Sequence, residues 1–150
     1  RFHPEKARAL GVPEGYLWGK LQRGEDVRLP SGEIIQSSQI VDPPRPGRKI
    51  VYSGDTRPNE SLIELANDSD ILVHEATFDD SLMERANEDG HSTAGQAAEV
   101  AKKAEVEKLV LTHISSRYPD PSILLEQAME IFPRTLIAED LMELEIPLKD

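Results

Sequence analysis

The chain has 150 residues, 38% of them hydrophobic and 30% charged, with a formal net charge of −11, a length that suits one ordinary domain with a real core. Cysteine is absent, which excludes disulfides and thiolate metal sites and leaves His, Asp and Glu to hold any metal. No apolar run reaches the roughly 18 residues of a membrane span and no signal-peptide pattern opens the chain, so no membrane partner and a cytoplasmic location are the default expectations.

Arg1-Phe2-His3-Pro4 has no initiating methionine and reads as the interior of something longer. Pro4–Leu10 suits a short helix with proline in its first turn, ended by Gly11. Four glycines and a proline from Gly11 to Gly24 predict irregular, tightly turned backbone. Val27-Arg28-Leu29 and Glu33-Ile34-Ile35 flank Pro30-Ser31-Gly32 as a β-hairpin. Asp42-Pro43-Pro44-Arg45-Pro46-Gly47-Arg48 predicts a stiff basic linker, because each proline fixes its backbone and blocks helix. The boundary falls there, with residues 1–48 as one segment and 49–150 as the body. Residues 1–50 carry nine Lys/Arg against six Asp/Glu, and residues 51–150 eight against twenty-two, which gives +3 and −14. A positive segment bearing Phe2, Tyr16 and Trp18 is compatible with a nucleic-acid arm. On charge alone the plainer reading, a solvated segment with a small core of its own, stands ahead of it.

From residue 49 the pattern alternates β and α, which predicts an α/β architecture. Strand 49–53 precedes a helix near 59–67 that Asn59 or Ser61 can cap. Strand 70–74 leads to a polar helical stretch near 79–87 and the loop Asn87–His91. Thr93 with Gln96 fits a capping box for a helix over Ala94–Ala104. Strand 108–113 follows, and Asp120-Pro121 opens an amphipathic helix with Ile123, Leu124, Ala128, Ile131 and Phe132 along one face. Strands over Thr135–Ala138 and Leu141–Ile146 close the pattern. Nearly all-apolar strands need cover on both faces, and a body of about 100 residues is short of partners for them.

Three of these strands end in residues that bind metal or move protons. Ile50-Val51-Tyr52 runs into Ser53-Gly54-Asp55, Ile71-Leu72-Val73 into His74-Glu75, and Leu109-Val110-Leu111 into Thr112-His113. Taken singly, Asp55 reads equally as a turn cap and His113 as a satisfied, part-buried histidine. Their recurrence points to one site at a sheet edge, and spacing goes no further.

Gly54-Asp55-Thr56-Arg57-Pro58, His74-Glu75-Ala76-Thr77-Phe78, Gly90-His91-Ser92-Thr93-Ala94 with Gln96-Ala97-Ala98, and Leu111-Thr112-His113-Ile114-Ser115-Ser116-Arg117-Tyr118 occur in this order. Together they resemble the C-terminal half of the ribonuclease Z family, tRNA 3′-processing endonucleases of the metallo-β-lactamase fold. Gly11-Val12-Pro13-Glu14-Gly15-Tyr16-Leu17-Trp18-Gly19 resembles that family's glycine- and proline-rich motif in a protruding tRNA-binding arm, with Tyr16 in place of a usual proline. The resemblance implies half of an αββα sandwich with the arm at its N-terminal side. It implies two Zn²⁺ ions per complete site, Asp55 as the bridging carboxylate and His113 as a ligand of one ion. His91 becomes the histidine that protonates the leaving oxygen and Glu75 its carboxylate partner, which favours the proton-donating form. Arg117 is a candidate for phosphate, although an ordinary ion pair is as good a reading. Gly11, Pro13, Gly15, Lys20 and Arg23 are candidates for tRNA contact. Ser92 and Thr93 read as helix caps. Precursor tRNA is the implied substrate and a homodimer the implied assembly.

The family's His-x-His-x-Asp-His motif does not occur in these residues, nor does its further histidine ligand. The expectation is a companion N-terminal half carrying them, in an enzyme of about 300 residues. Asp55 and His113 alone give each zinc too few protein ligands, so these 150 residues by themselves are expected to bind zinc weakly and to leave precursor tRNA uncut. The alternatives are a non-catalytic tRNA-binding or dimerising fragment and another phosphodiesterase of the same fold.

Overall fold

The computed structural model describes residues 1–44 and 47–148. They form two compact units that divide between residues 46 and 47. Arg45 and Pro46, at the centre of the expected linker, lie outside the described residues.

In the first unit, α1 (Pro4–Ala9) ends at Leu10, and Gly11 takes the left-handed conformation that follows many helices. The backbone from Gly11 to Gly24 is not irregular throughout, as composition predicted, because Tyr16–Gln22 forms helix α2. Glycine is used at its border: Gly15, with φ 118°, turns the chain into the helix. Leu17, Trp18 and Leu21 then fall on one face and pack into a core of Ala7, Val12, Leu21, Val27, Leu29, Ile35 and Ile40. β1 (Val27–Arg28) and β2 (Ile34–Ile35) pair antiparallel with Val27 opposite Ile35, the expected hairpin. A 3₁₀ turn over Ser37–Gln39 follows, and Phe2 bridges antiparallel to Val41.

The second unit is a four-stranded parallel sheet in the order β3 (Ile50–Tyr52), β4 (Ile71–Glu75), β5 (Leu109–Thr112), β6 (Thr135–Ile137). Val51, Leu72, Leu109 and Leu111 share one face, on which α3 (Glu60–Ala66), α5 (Ala94–Lys103) and α6 (Ser122–Ile131) pack through Leu62, Ala66, Ala97, Ala98, Ala101, Leu124 and Ala128. The alanine run of α5 brings that helix close to the strands, and Thr93 and Gln96 form the capping box expected from sequence. Asn59, rather than Ser61, caps α3 by accepting from Leu62 N at 2.9 Å. The polar stretch after β4 is a 3₁₀ turn, Asp80–Leu82, running into α4 (Met83–Asp89). On the opposite face Ile50 and Tyr52 stand exposed on the edge strand, so the shortage of cover foreseen for apolar strands is real at this edge.

The strand predicted over Leu141–Ile146 does not form. Leu141 has φ 64° and is almost fully exposed, and Met142 N closes a turn onto Glu139 O. Alternating apolar and acidic residues suit a strand only where a neighbour supplies ladder bonds, and among the described residues none does.

Gly95, in the first turn of α5, donates its N–H to Asp80 Oδ1 at 2.9 Å. A Cβ at this position would lie 2.7 Å from Oδ1 and closer still to Oδ2. Gly95→Ala is therefore expected to lower the unfolding free energy by about 1–2 kcal/mol, the lost charge-assisted bond outweighing a helix-propensity gain of about 1 kcal/mol. The urea midpoint checks this, and an unchanged midpoint would mean that Asp80 moves aside freely.

Candidate active site

Three adjacent parallel strands deliver their C-terminal ends to one edge of the sheet, where open α/β sheets bind ligands. Two of the turns there need left-handed backbone. Gly54 has φ 61° and swings the chain after β3 into Asp55. His113, just past β5, has φ 53°, an uncommon conformation for a residue with a Cβ and one that clusters at functional sites. His91 arrives from the loop between α4 and α5. Gly90, at φ 85°, caps α4, and His91 N donates to Ala86 O at 2.8 Å.

These elements bring Asp55, His91 and His113 together, with one ligand-type atom from each lying within 4.8 Å of the others. The His91 and His113 rings stack at 5.3 Å between centroids, and Asp55 Oδ1 lies 3.6 Å from His113 Nδ1. Asp55 and His113 are exposed and His91 half-buried. This is a donor set that could hold a divalent cation.

Glu75 lies beneath them, 1% exposed. Its Oε1 accepts from Thr56 N at 3.0 Å and from His91 Nδ1 at 2.8 Å; its Oε2 accepts from Thr77 N at 3.1 Å and from the Thr77 hydroxyl at 2.8 Å. Burial pushes the Glu75 carboxyl up, but hydrogen bonds from Thr77, the Ser92 backbone and His91 outweigh it and hold the group below the ordinary glutamate value. It is a buried carboxylate with its acceptor capacity filled, the condition under which an ionised group is tolerated inside a protein.

Thr77 and Ser92 are contributors that the sequence did not single out for the site. Thr77 Oγ1 also lies 2.8 Å from His113 Nδ1 and 3.3 Å from His91 Nδ1. Ser92 is not a helix cap: its hydroxyl donates to Thr56 O at 2.7 Å and ties the His91 loop to the Asp55 loop. The only signal in the sequence was a hydroxyl residue next to or two positions from a candidate, too common to act on. His74, next to Glu75, stands across β4 on the face of Leu72 and opposite Leu111, outside the cluster. It is fully buried, its Nδ1 bonded to Glu75 O at 2.7 Å, and burial pushes its pKa down, so it stays neutral.

Arg117 stacks over the Phe78 ring at 5.1 Å and donates from Nε to Ser115 Oγ at 3.3 Å, with no ion pair among the described residues. Phe78 in turn meets the His91 ring edge-on at 6.2 Å. Gly11, Pro13, Gly15, Lys20 and Arg23 belong to the first unit. Gly11 and Gly15 bracket Pro13 between α1 and α2, Lys20 Nζ stands 5.0 Å over the exposed Tyr16 ring, and Arg23 Nε donates to Glu25 Oε1 at 2.9 Å.

The parallel α/β sheet thus carries an Asp–His–His group with metal-ligand chemistry at its edge. Residues 23–114 match the family model described as a beta-lactamase superfamily domain, and the chain belongs to that superfamily. Over all of its length it is 53% identical to the ribonuclease Z of Haloferax volcanii, of which it spans 48%. Among solved structures it is similar to human tRNase Z, short form, with a TM-score of 0.55 and 34% identity over 77% of this chain and 37% of that one. A metallo-β-lactamase fold protein from Bacillus subtilis aligns with a TM-score of 0.57 and 26% identity over 61% of this chain and 37% of that one. The chain thus spans about half the length of the curated relative it matches. The metallo-β-lactamase fold implies a divalent metal, and Asp55, His91 and His113 are residues able to take part in holding one. Among the described residues no helix is long and apolar enough to cross a membrane.

The Glu75 network carries a pH signature. Because its folded value lies below the unfolded one, the contribution of Glu75 is complete above the unfolded value of about 4.3 and is lost as pH falls through the folded value. Unfolding free energy is expected to fall more steeply with acidification, from about pH 5 downward, in the wild type than in Glu75→Gln. Urea unfolding at a series of pH values checks this; parallel curves would show that Glu75 is not held as a carboxylate.

Proposed function

We propose that this chain is the C-terminal half of a zinc-dependent endoribonuclease that removes the 3′ trailer from precursor tRNA. The observation that carries the reading is the convergence of Asp55, His91 and His113 over the buried Glu75 carboxylate, in a chain about half identical to a ribonuclease Z along its whole length. Asp55, as the shared carboxylate, and His113, as an imidazole ligand, would help to hold two zinc ions. The donor chemistry fits, since a carboxylate and an imidazole suit Zn²⁺ and both side chains are solvent-accessible. When bound, the zinc ions supply a water activated near neutral pH and positive charge opposite the phosphate.

His91 is the proton donor. Glu75 holds its Nδ1–H at 2.8 Å, so the transferable proton is the one on Nε2. As water oxygen bonds to phosphorus and the P–O3′ bond breaks, that proton passes to O3′, leaving a 3′-hydroxyl on the tRNA and a 5′-phosphate on the trailer. Phe78 packs edge-on against the His91 ring and helps to orient it. Arg117, stacked on the same phenylalanine and in no close ion pair among the described residues, is available to a phosphate.

A companion N-terminal half bearing the His-x-His-x-Asp-His motif supplies the remaining ligands and covers the apolar sheet face at Ile50 and Tyr52. Residues 51–150, of charge −14, repel RNA, so residues 1–48 act as the tRNA arm, with Lys20, Arg23 and the turns at Gly11, Pro13 and Gly15 meeting backbone phosphates. The complete enzyme is a cytoplasmic homodimer in which one subunit's arm holds tRNA for the other.

The 150 residues alone are expected to show substoichiometric zinc and no cleavage of precursor tRNA, and both are expected to appear on mixing with, or fusing to, the upstream half. Metal analysis alongside gel-resolved cleavage checks this, and cleavage by the 150 residues alone would overturn it. Deleting residues 1–47 from the complete enzyme is expected to weaken precursor-tRNA binding by at least about tenfold, more than 1.4 kcal/mol, while hydrolysis of a small phosphodiester is retained. Equal loss of both would count against the arm.

A further inference from the structure

The two histidines of the site share a constraint that the proposed reaction does not by itself require. Glu75 is an acceptor only, and its Oε2 lies 2.8 Å from Thr77 Oγ1, so the single hydroxyl proton of Thr77 is committed to Glu75. What Thr77 can offer His113 Nδ1, also at 2.8 Å, is a lone pair. That bond exists only if Nδ1 of His113 carries the proton. Asp55 does not compete for it, because 3.6 Å is beyond hydrogen-bond distance. The Thr77 backbone N–H donates to the same carboxylate oxygen at 3.1 Å, which holds Glu75 Oε2 beside the hydroxyl. His91 Nδ1, at 2.8 Å from Glu75 Oε1, is by the same argument also a donor.

We propose that Thr77 is a positioning residue that fixes the Nδ1–H tautomer of His113, leaving Nε2 as the unprotonated, ligating atom, and that Glu75 thereby sets both histidines from its two oxygens. This rests on reading His113 as a metal ligand. The relay runs from carboxylate to hydroxyl to imidazole, so the ligand histidine receives its orienting carboxylate at one remove while the proton-donating histidine receives it directly. Outer partners of this kind fix the ring orientation and raise the basicity of a ligating imidazole. Neutral imidazole in water favours the opposite tautomer, with the proton on Nε2, so the bond to Thr77 has a preference to reverse. The left-handed backbone at His113 supplies the matching constraint from the main chain.

The test uses the 150-residue chain, free of metal and substrate, with ¹⁵N-labelled histidine at about pH 8.5, well above the ordinary imidazole value of about 6.5. Two-bond ¹H–¹⁵N correlation spectra read which ring nitrogen carries the proton, with the His91 and His113 signals identified by His91→Gln and His113→Gln. Both residues are expected to show protonated Nδ1 and bare Nε2 in the wild type and in Thr77→Ser. In Thr77→Val, His113 is expected to lose that pattern and move toward Nε2–H, while His91 keeps it. Should Thr77→Val not fold, Thr77→Ala replaces it with the same expectation. Protonated Nε2 on His113 in the wild type, or an unchanged His113 in a folded Val or Ala variant, would overturn the proposal. Because no metal, RNA or turnover enters this measurement, its failure is separate from failure of the nuclease reading, which cleavage by the completed enzyme decides.

Discussion

The site is organised by one buried carboxylate. Glu75 reaches the Asp55 turn through Thr56 N–H, His91 directly, and His113 through the Thr77 hydroxyl. An ionised group this deep is tolerated only when its lone pairs have donors, and Thr56, Thr77, His91 and the Ser92 backbone supply them. The same bonds that stabilise the charge therefore fix the geometry of the three solvent-facing residues. Removing any one donor affects both at once.

The sheet makes this possible by its order. β3, β4 and β5 are parallel and adjacent, so residues 55, 75 and 113, dispersed over almost 60 positions, end at one edge. Left-handed turns at Gly54 and His113 then bend two of the chains over the third. His91 comes from a helix connection instead, secured by the bonds of Ser92 to Thr56 and of His91 N to Ala86 and by the capping box that starts α5. The alanine-rich face of α5 packs on the strands and provides the firm base for that loop. Arg57 adds a tie from the Asp55 loop to the C-terminal carbonyls of α4 at Asn87 and Glu88, a favourable place for a cation.

Much of the α/β body was legible because its signals are local. Apolar runs ended by polar residues gave β3, β4 and β5, and Thr93 with Gln96 gave the start of α5. The two clear failures have one cause. Glycine content between Gly11 and Gly24 was read as irregular, yet α2 forms because Leu17, Trp18 and Leu21 find a core supplied by α1 and the hairpin. The alternation at Leu141–Ile146 was read as a strand, yet no described neighbour offers it a ladder. In both, a tertiary partner, present or missing, overrode the local pattern.

The sequence by itself determined the chemistry available here: no thiolates, carboxylates and histidines at consecutive strand ends, and a family likeness strong enough to single out Asp55, Glu75, His91 and His113. Only the tertiary structure decided how they are joined. It set His74 on the far face of β4 despite its place beside Glu75, because strand neighbours alternate sides. It brought in Thr77 and Ser92, whose hydroxyls matter through partners at least 36 residues away, His113 and Thr56. A hydrogen bond needs about 3 Å and a direction, and neither is written in residue order.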